Sequence, residues 1–144
     1  MANRYQATQI GYVVIITLAI PIVAVIIAGS TGIYHWAMLA ISAFQLILIA
    51  LFGTLTVKIE DEDLKIHFGL GLIRKSFPLN EIKSTDIVKN KWYYGWGIRF
   101  TPHGWLYNVS GYMAVEIDMK GTIKYRIGTN QPDELKKAID RARA

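Results

Sequence analysis

Near residue 53 the chain changes its hydrophobic period, and the change divides it into two parts. Upstream, two unbroken apolar runs cover residues 10–28 and 33–52. As an α-helix, each run of about 20 residues is about 30 Å long, the thickness of bilayer hydrocarbon. Neither run has a polar face, which argues against a helical pair buried in a soluble core. Gly29-Ser30-Thr31-Gly32 joins them too tightly for anything but antiparallel neighbours. A cleaved leader fits poorly, because its apolar region is only about 7–15 residues and is not followed at once by a second run. Downstream the period is two. Leu55, Val57 and Ile59 alternate with Thr56, Lys58 and Glu60; Leu64, Ile66 and Phe68 alternate with Lys65 and His67; Asp61-Glu62-Asp63 turns between them. This is a β-hairpin.

Gly69 and Gly71 mark the next turn, before a strand over 72–77 that Pro78 stops. Further strands are expected over 83–89, 97–101, 105–109, 113–119 and 123–127. About seven or eight short strands with frequent turns imply two sheets or a small barrel. A C-terminal helix follows, with Asn130 as its cap and Pro132, Asp133 and Glu134 in its first turn. Leu135, Ala138, Ile139 and Ala142 make its apolar stripe, which should dock on the strands and close one open end. The expected organisation is a two-helix transmembrane hairpin over 1–53 and a mainly β domain over 54–144.

Charge orients this arrangement. No Lys, Arg, Asp or Glu lies between Arg4 and Lys58. Arg4 precedes the first run, and Lys58 and Lys65 follow the second, so both termini are expected in the cytoplasm of a multi-pass protein of the cell membrane. Tyr34 and Trp36 then lie at the outer interface and Tyr5 and Tyr12 at the inner one, with His35 interfacial and Pro21 a kink. Gln45 is the most polar side chain of the two runs. Thr17 lies equally far from the turn, and a Thr17–Gln45 hydrogen bond is expected inside the hairpin, with a bond from Gln45 to a second copy as the rival.

Only 19% of the chain is charged and 52% is hydrophobic, against a soluble norm of about 25% charged. The absence of cysteine excludes disulfides, thiolate catalysis and Cys-based zinc sites. The net charge is +5, and residues 64–144 hold 14 basic against 7 acidic residues, which favours anionic lipid headgroups as partners. Nucleic acid is not expected, because the basic residues are scattered and no motif accompanies them.

The stretch 54–139 resembles the bacterial pleckstrin-homology-like (PH-like) domains that follow paired transmembrane helices. The resemblance rests on Val57-Lys58-Ile59, Asp61-Glu62 and Leu64-Lys65-Ile66, then Phe77-Pro78-Leu79-Asn80-Glu81-Ile82, then Tyr94-Gly95-Trp96-Gly97-Ile98-Arg99. It implies two sheets with a C-terminal helix and a binding or scaffolding role. The first hairpin loop, Glu60-Asp61-Glu62-Asp63, departs from the basic loop of phosphoinositide-binding members and would repel a phosphorylated headgroup.

No catalytic constellation emerges. Gly69-Leu70-Gly71 lacks the third glycine and the helix of a phosphate loop; Asp61, Glu62 and Asp63 lack a calcium loop; Glu116 and Asp118 share a strand face by simple alternation. His67 and His103 have no ligand spacing. No metal and no cofactor are expected, and the protein is read as non-enzymatic. The most unusual segment runs from Lys89 through Lys91, Trp92, Tyr93, Tyr94 and Trp96, with Arg99 beyond. Its rings either plug the β core or form an amphipathic contact surface for a protein partner, a second copy included, or for a membrane interface. A protein-interaction or scaffolding module at the inner membrane surface is the leading expectation; an anionic lipid-surface sensor is the alternative and a small membrane enzyme a distant third.

Overall fold

The computed structural model describes residues 5–28, 35–121 and 123–144. Its elements are β1 (Tyr5–Ile10), α1 (Tyr12–Ala28), α2 (His35–Phe52), β2 (Thr54–Glu60), β3 (Asp63–Phe68), β4 (Ile73–Pro78), β5 (Ile82–Lys89), β6 (Gly97–Thr101), β7 (Gly104–Asn108), β8 (Met113–Met119), β9 (Lys124–Gly128) and α3 (Pro132–Ala142). The strands form two open sheets, ordered β1-β2-β3-β4 and β5-β8-β9-β7-β6, and no closed barrel. Every pair is antiparallel except β7 with β9.

The first strand lies outside the expected set. Tyr5 is expected as a membrane-interface anchor and residues 1–53 as a hairpin alone. Instead β1 pairs with β2 from Tyr5↔Ile59 to Ile10↔Thr54. Its alternation is partly hidden, because the inward positions after Tyr5 are Ala7 and Gln9. Gln9 is buried and its Nε2 donates to Ser110 O (2.7 Å) and Asn130 Oδ1 (3.0 Å), which ties β1 to the loops of the second sheet. Asn130 is thereby engaged away from the helix terminus, and α3 starts from Gln131 with no side-chain cap. The β unit therefore takes chain from both sides of the helices, not from 54 onward alone.

At the foot of the helices the ladder passes straight into helical backbone. Gly11 N donates to Gly53 O (2.8 Å), and α1 and α2 begin and end at the adjoining residues. Gly69 N donates to Thr54 O (2.9 Å) and Leu70 N to Ala50 O (3.3 Å), so the β3–β4 turn rests on the last turn of α2. Gly69 has φ +46°, and a Cβ there would run into the Ala50 carbonyl oxygen.

α2 is long and apolar enough to cross a membrane, with mean hydropathy 1.9 and no buried residue. α1 is equally apolar but shorter, at 17 residues, because Ile10 belongs to β1; Pro21 lies inside it. The two helices pack on each other. The expected turn at 29–32 and the positions of Arg4 and Tyr34 lie outside the described residues.

The expected Thr17–Gln45 hydrogen bond is not formed. Thr17 is exposed, and the buried Gln45 Oε1 has no partner among the described residues. The strand register is the reason. Continued one residue at a time from Ile10↔Thr54, it brings Ala19 level with Gln45. Two residues of helix turn a side chain by about 200°, so Thr17 points to the far side of α1.

The core lies between the sheets. Leu55, Val57, Ile59, Leu64, Ile66 and Phe68 face Tyr107, Val115, Ile117 and Ile127. The β2–β3 turn places Asp61 (φ 53°) and Glu62 (φ 66°) in the left-handed region that a two-residue hairpin demands. α3 buries Leu135 and Ile139, with Ala138 and Ala142 packed on the same core, as its stripe predicts. It is fastened to β5 through Asp140, which accepts from Thr85 Oγ1 (2.6 Å) and Lys136 Nζ (2.8 Å).

Two glycines with left-handed backbone separate the junction from ordinary turns. Gly69→Ala should lower stability by about 3 kcal/mol or more, because backbone strain and a backbone clash add. Gly111→Ala (φ +65°, open space around the Cβ) should cost about 1 kcal/mol. Thermal unfolding of both variants in the same detergent is the measurement; equal losses would show that the junction is not tightly closed.

Candidate functional site: an exposed aromatic crossing over a buried ion pair

β5 and β6 are opposite edges of the second sheet, so the segment joining them must traverse its outer face. Asn90 Oδ1 accepts from Arg126 Nη1 (3.1 Å) in mid-sheet, and the Tyr94 ring lies 6.3 Å from that of His103 at the β6–β7 turn. These contacts fix the two ends of the crossing. A single 3-10 turn over Trp92–Tyr94 lets the segment span the strands, and Gly95 (φ +70°) redirects it into β6.

The crossing shelters a charged network. Arg126 Nε donates to Glu116 Oε2 (2.7 Å) and Lys124 Nζ to Glu116 Oε1 (3.0 Å). Glu116 and Arg126 are buried, and the two sit directly opposite on β8 and β9. Burial by itself raises the Glu116 carboxyl, but the bonds from Arg126 and then Lys124 outweigh it and hold the group below the usual carboxylate range. Each carboxylate oxygen accepts one of these bonds, so Glu116 is held as an anion between two cations. Asp118 contributes no bond to it.

None of the rings in the crossing is buried. Trp92 is 75% exposed and Tyr93 57%, and their rings meet edge to face at 5.8 Å. The Lys91 ammonium lies 5.6 Å from the Tyr93 centroid, and Tyr93, with Tyr94 beyond it, raises Lys91 above its ordinary range. Tyr94 is half-buried toward His103. Trp96 points the other way: its Nε1 donates to Gly111 O (3.3 Å), and it lines a groove with Val14, Leu18, Leu48 and Phe52 at the helix base. Arg99 Nε donates to Trp96 O (3.2 Å) and holds that bend. Lys89 pairs with Met113 as the last residue of β5. The segment named from sequence is thus one continuous strap, in which Trp92, Tyr93 and Lys91 face outward and Tyr94, Trp96 and Arg99 fix its path.

Sequence reasoning missed Arg126, the partner of Glu116 in the buried pair beneath the strap, and its bond to Asn90. The available signal was slight: a Glu and an Arg on neighbouring strands whose pairing depends on a register that only the sheet order supplies. Among the described residues no group of His, Cys, Asp or Glu could hold a metal ion. His67 is lowered by burial and by Lys58 and Arg74, and its Nδ1 is buried without a partner. Gly69–Gly71 is a hairpin turn, and it presents exposed Leu70 and Leu72 beside the end of α2. No known family model matches the chain, and no curated protein is similar to it.

Replacing Glu116 leaves Arg126 buried without its counter-charge. Glu116→Gln should cost about 3 kcal/mol near neutral pH. The unfolded chain keeps an ordinary carboxyl and the folded one a depressed value, so this stabilisation is complete above the ordinary value and disappears as pH falls through the depressed one. The gap in Tm between wild type and Glu116→Gln should therefore be full at about pH 6 and shrink below about pH 4. A gap independent of pH would mean that the carboxylate charge does not hold the strap in place.

Proposed function

We propose that the protein is a membrane-anchored, PH-like module without enzymatic activity, and that it binds a protein partner, a second copy included, through the strap at residues 91–93. One observation carries this reading: Trp92 and Tyr93 keep more than half of their surface in solvent although a core lies directly beneath the sheet they cross. Large amphipathic rings flanked by a cation are the side chains that dominate protein contacts. The strap is pinned at Asn90 and Trp96, so the rings are displayed on fixed backbone and lose little entropy on binding.

Several features support the anchoring. No residue of α2 is fully buried within the protein, and Ile16, Ile20, Val23 and Ile27 on α1 are exposed beside it. Surfaces of this kind are stable in hydrocarbon and not in water. Because β1 and β2 pair, a hairpin that crosses the bilayer leaves both of its ends on one side; the Lys and Arg bias makes that side the cytoplasm. The PH-like assignment rests on two sheets plus one C-terminal helix, although the parallel β7–β9 pair departs from a simple meander.

A lipid-surface role has its own support: exposed Leu70 and Leu72 sit beside α2, with Arg74 and Lys75 just beyond. Salt separates the two readings. Lipid-surface attachment weakens as ionic strength rises, whereas an aromatic-centred protein contact is nearly indifferent.

In the full-length membrane protein, Trp92→Ala with Tyr93→Ala should leave the stability within about 1 kcal/mol of wild type, since neither ring is core. Crosslinked complexes in native membranes should fall by about tenfold or more. Unfolding of the pair, or unchanged complexes in a folded variant, would count against the proposal. A green fluorescent protein fused to the C-terminus should be fluorescent in bacterial cells; a dark fusion that reaches the membrane would reverse the orientation.

A further inference from the structure

The two open sheets are closed unequally. On one side α3 packs against β5, β8 and β2 and seals the gap between them. On the opposite side, between β4 and the β6–β7 edge, no helix intervenes among the described residues. A cleft of about 330 Å³ opens there, floored by Ile66 and Phe68 from the first sheet and walled by Ile98, Trp105, Tyr107 and Tyr125 from the second. That volume lies in the range of small-molecule sites, about 300–1,000 Å³.

Its mouth carries positive charge. The β3–β4 register sets Lys75 opposite Ile66, so Lys75 occupies a core-facing position between Ile73 and Phe77 on an edge strand. Its ammonium sits 5.8 Å from the Tyr125 centroid, reaching toward the other sheet. Arg74, opposite His67 in the same register, lies on the other face of the sheet, where its Nε donates to Gly71 O (2.8 Å). Lys75 has no carboxylate partner among the described residues, although Lys65, Lys124, Lys136, Arg126 and Arg143 all do. An inward-pointing lysine also discourages edge-to-edge pairing of β4. That role does not require an apolar cleft behind it.

The cleft lies close to the helices. Ile98 lines both the cleft and the groove at the helix base, where Val14, Leu18, Leu48 and Phe52 supply the other wall. Apolar surface therefore leads from the flank of the helix pair to the inter-sheet cleft.

We propose that this cleft is a binding site for a single-chain anionic amphiphile. The hydrocarbon chain lies against Ile66, Phe68, Ile98 and Trp105, and the carboxylate or phosphate head pairs with Lys75. Charge complementarity selects an anionic head over a neutral one, and the absence of a helix on this side leaves the chain a path of entry. The site is separate from the strap at residues 91–93 and does not depend on it.

The test uses the full chain in nanodiscs of zwitterionic lipid, with dansyl-labelled undecanoate as the probe and empty nanodiscs as the blank. Saturable binding above the blank is expected, displaced by dodecanoate or by lysophosphatidate and at least about tenfold less well by dodecanol. The relative potency of the first two tells a free fatty acid from a lysophospholipid as the source. Lys75→Met keeps the apolar stem and should weaken binding about tenfold or more, Lys75→Arg should restore it, and Ile98→Trp should fill the cleft and abolish it. Dodecanol competing as well as dodecanoate, or Lys75→Met binding as wild type, overturns the proposal. So does a signal no greater than that of empty nanodiscs. The Lys75 variants alter an exposed side chain, so their reading stands even if Ile98→Trp does not fold.

Discussion

The pairing of β1 with β2 is the constraint on which the rest of the structure depends. These two strands are neighbours in one sheet, yet the whole helical hairpin lies between them in sequence. Gly11 and Gly53 close the ladder, and helix begins on either side without a linker. The depth of every residue in α1 relative to α2 is therefore set by the sheet at the foot of the helices. Helices and β unit are coupled through hydrogen-bonded backbone, and the β3–β4 turn at Gly69 adds a second point of contact on α2.

A rigid base has consequences for the surface. With the sheet held against the foot of the helices, Trp96 is directed to the helix flank and Leu70 and Leu72 lie beside the end of α2. Residues 91–93 are carried over the outer face of the second sheet instead. The Glu116–Arg126 pair beneath them is costly to bury and offers little net stability over an apolar pair of the same shape. What it supplies is position: Arg126 holds Asn90, and Asn90 begins the strap.

The two sheets share one core but have unlike edges. At the α3 edge, Lys136, Asp140 and Arg143 bond to Thr85, Ile82 and Lys83 and fasten the helix to β5. At the β4 edge the core borders a cleft lined by Lys75 and the rings of Trp105 and Tyr125. A fold of this kind has one sealed side and one side that a ligand can enter.

Much of this was legible in the sequence, and for local reasons. Period two gave the β2–β3 hairpin and its Asp61-Glu62 turn, because alternation and turn chemistry are decided within a few residues. The stripe of Leu135, Ala138, Ile139 and Ala142 gave α3 and its buried face. The apolar runs gave both helices. The aromatic segment was visible as a candidate, but not whether its rings were core or surface. β1 was hidden because its six residues pair with a segment more than forty positions away and carry a weak alternation of their own. The Thr17–Gln45 bond failed for a related reason: a register measured from the turn differs by two residues from the register the sheet imposes, and two residues reverse the face of a helix. Strand order across the second sheet set the remaining features. It placed β5 and β6 at opposite edges, and so the strap between them, the Glu116–Arg126 pair under it and the open cleft at β4 exist only in three dimensions. Pairing between distant strands is a collective outcome of burial and hydrogen bonding, and no local pattern encodes it.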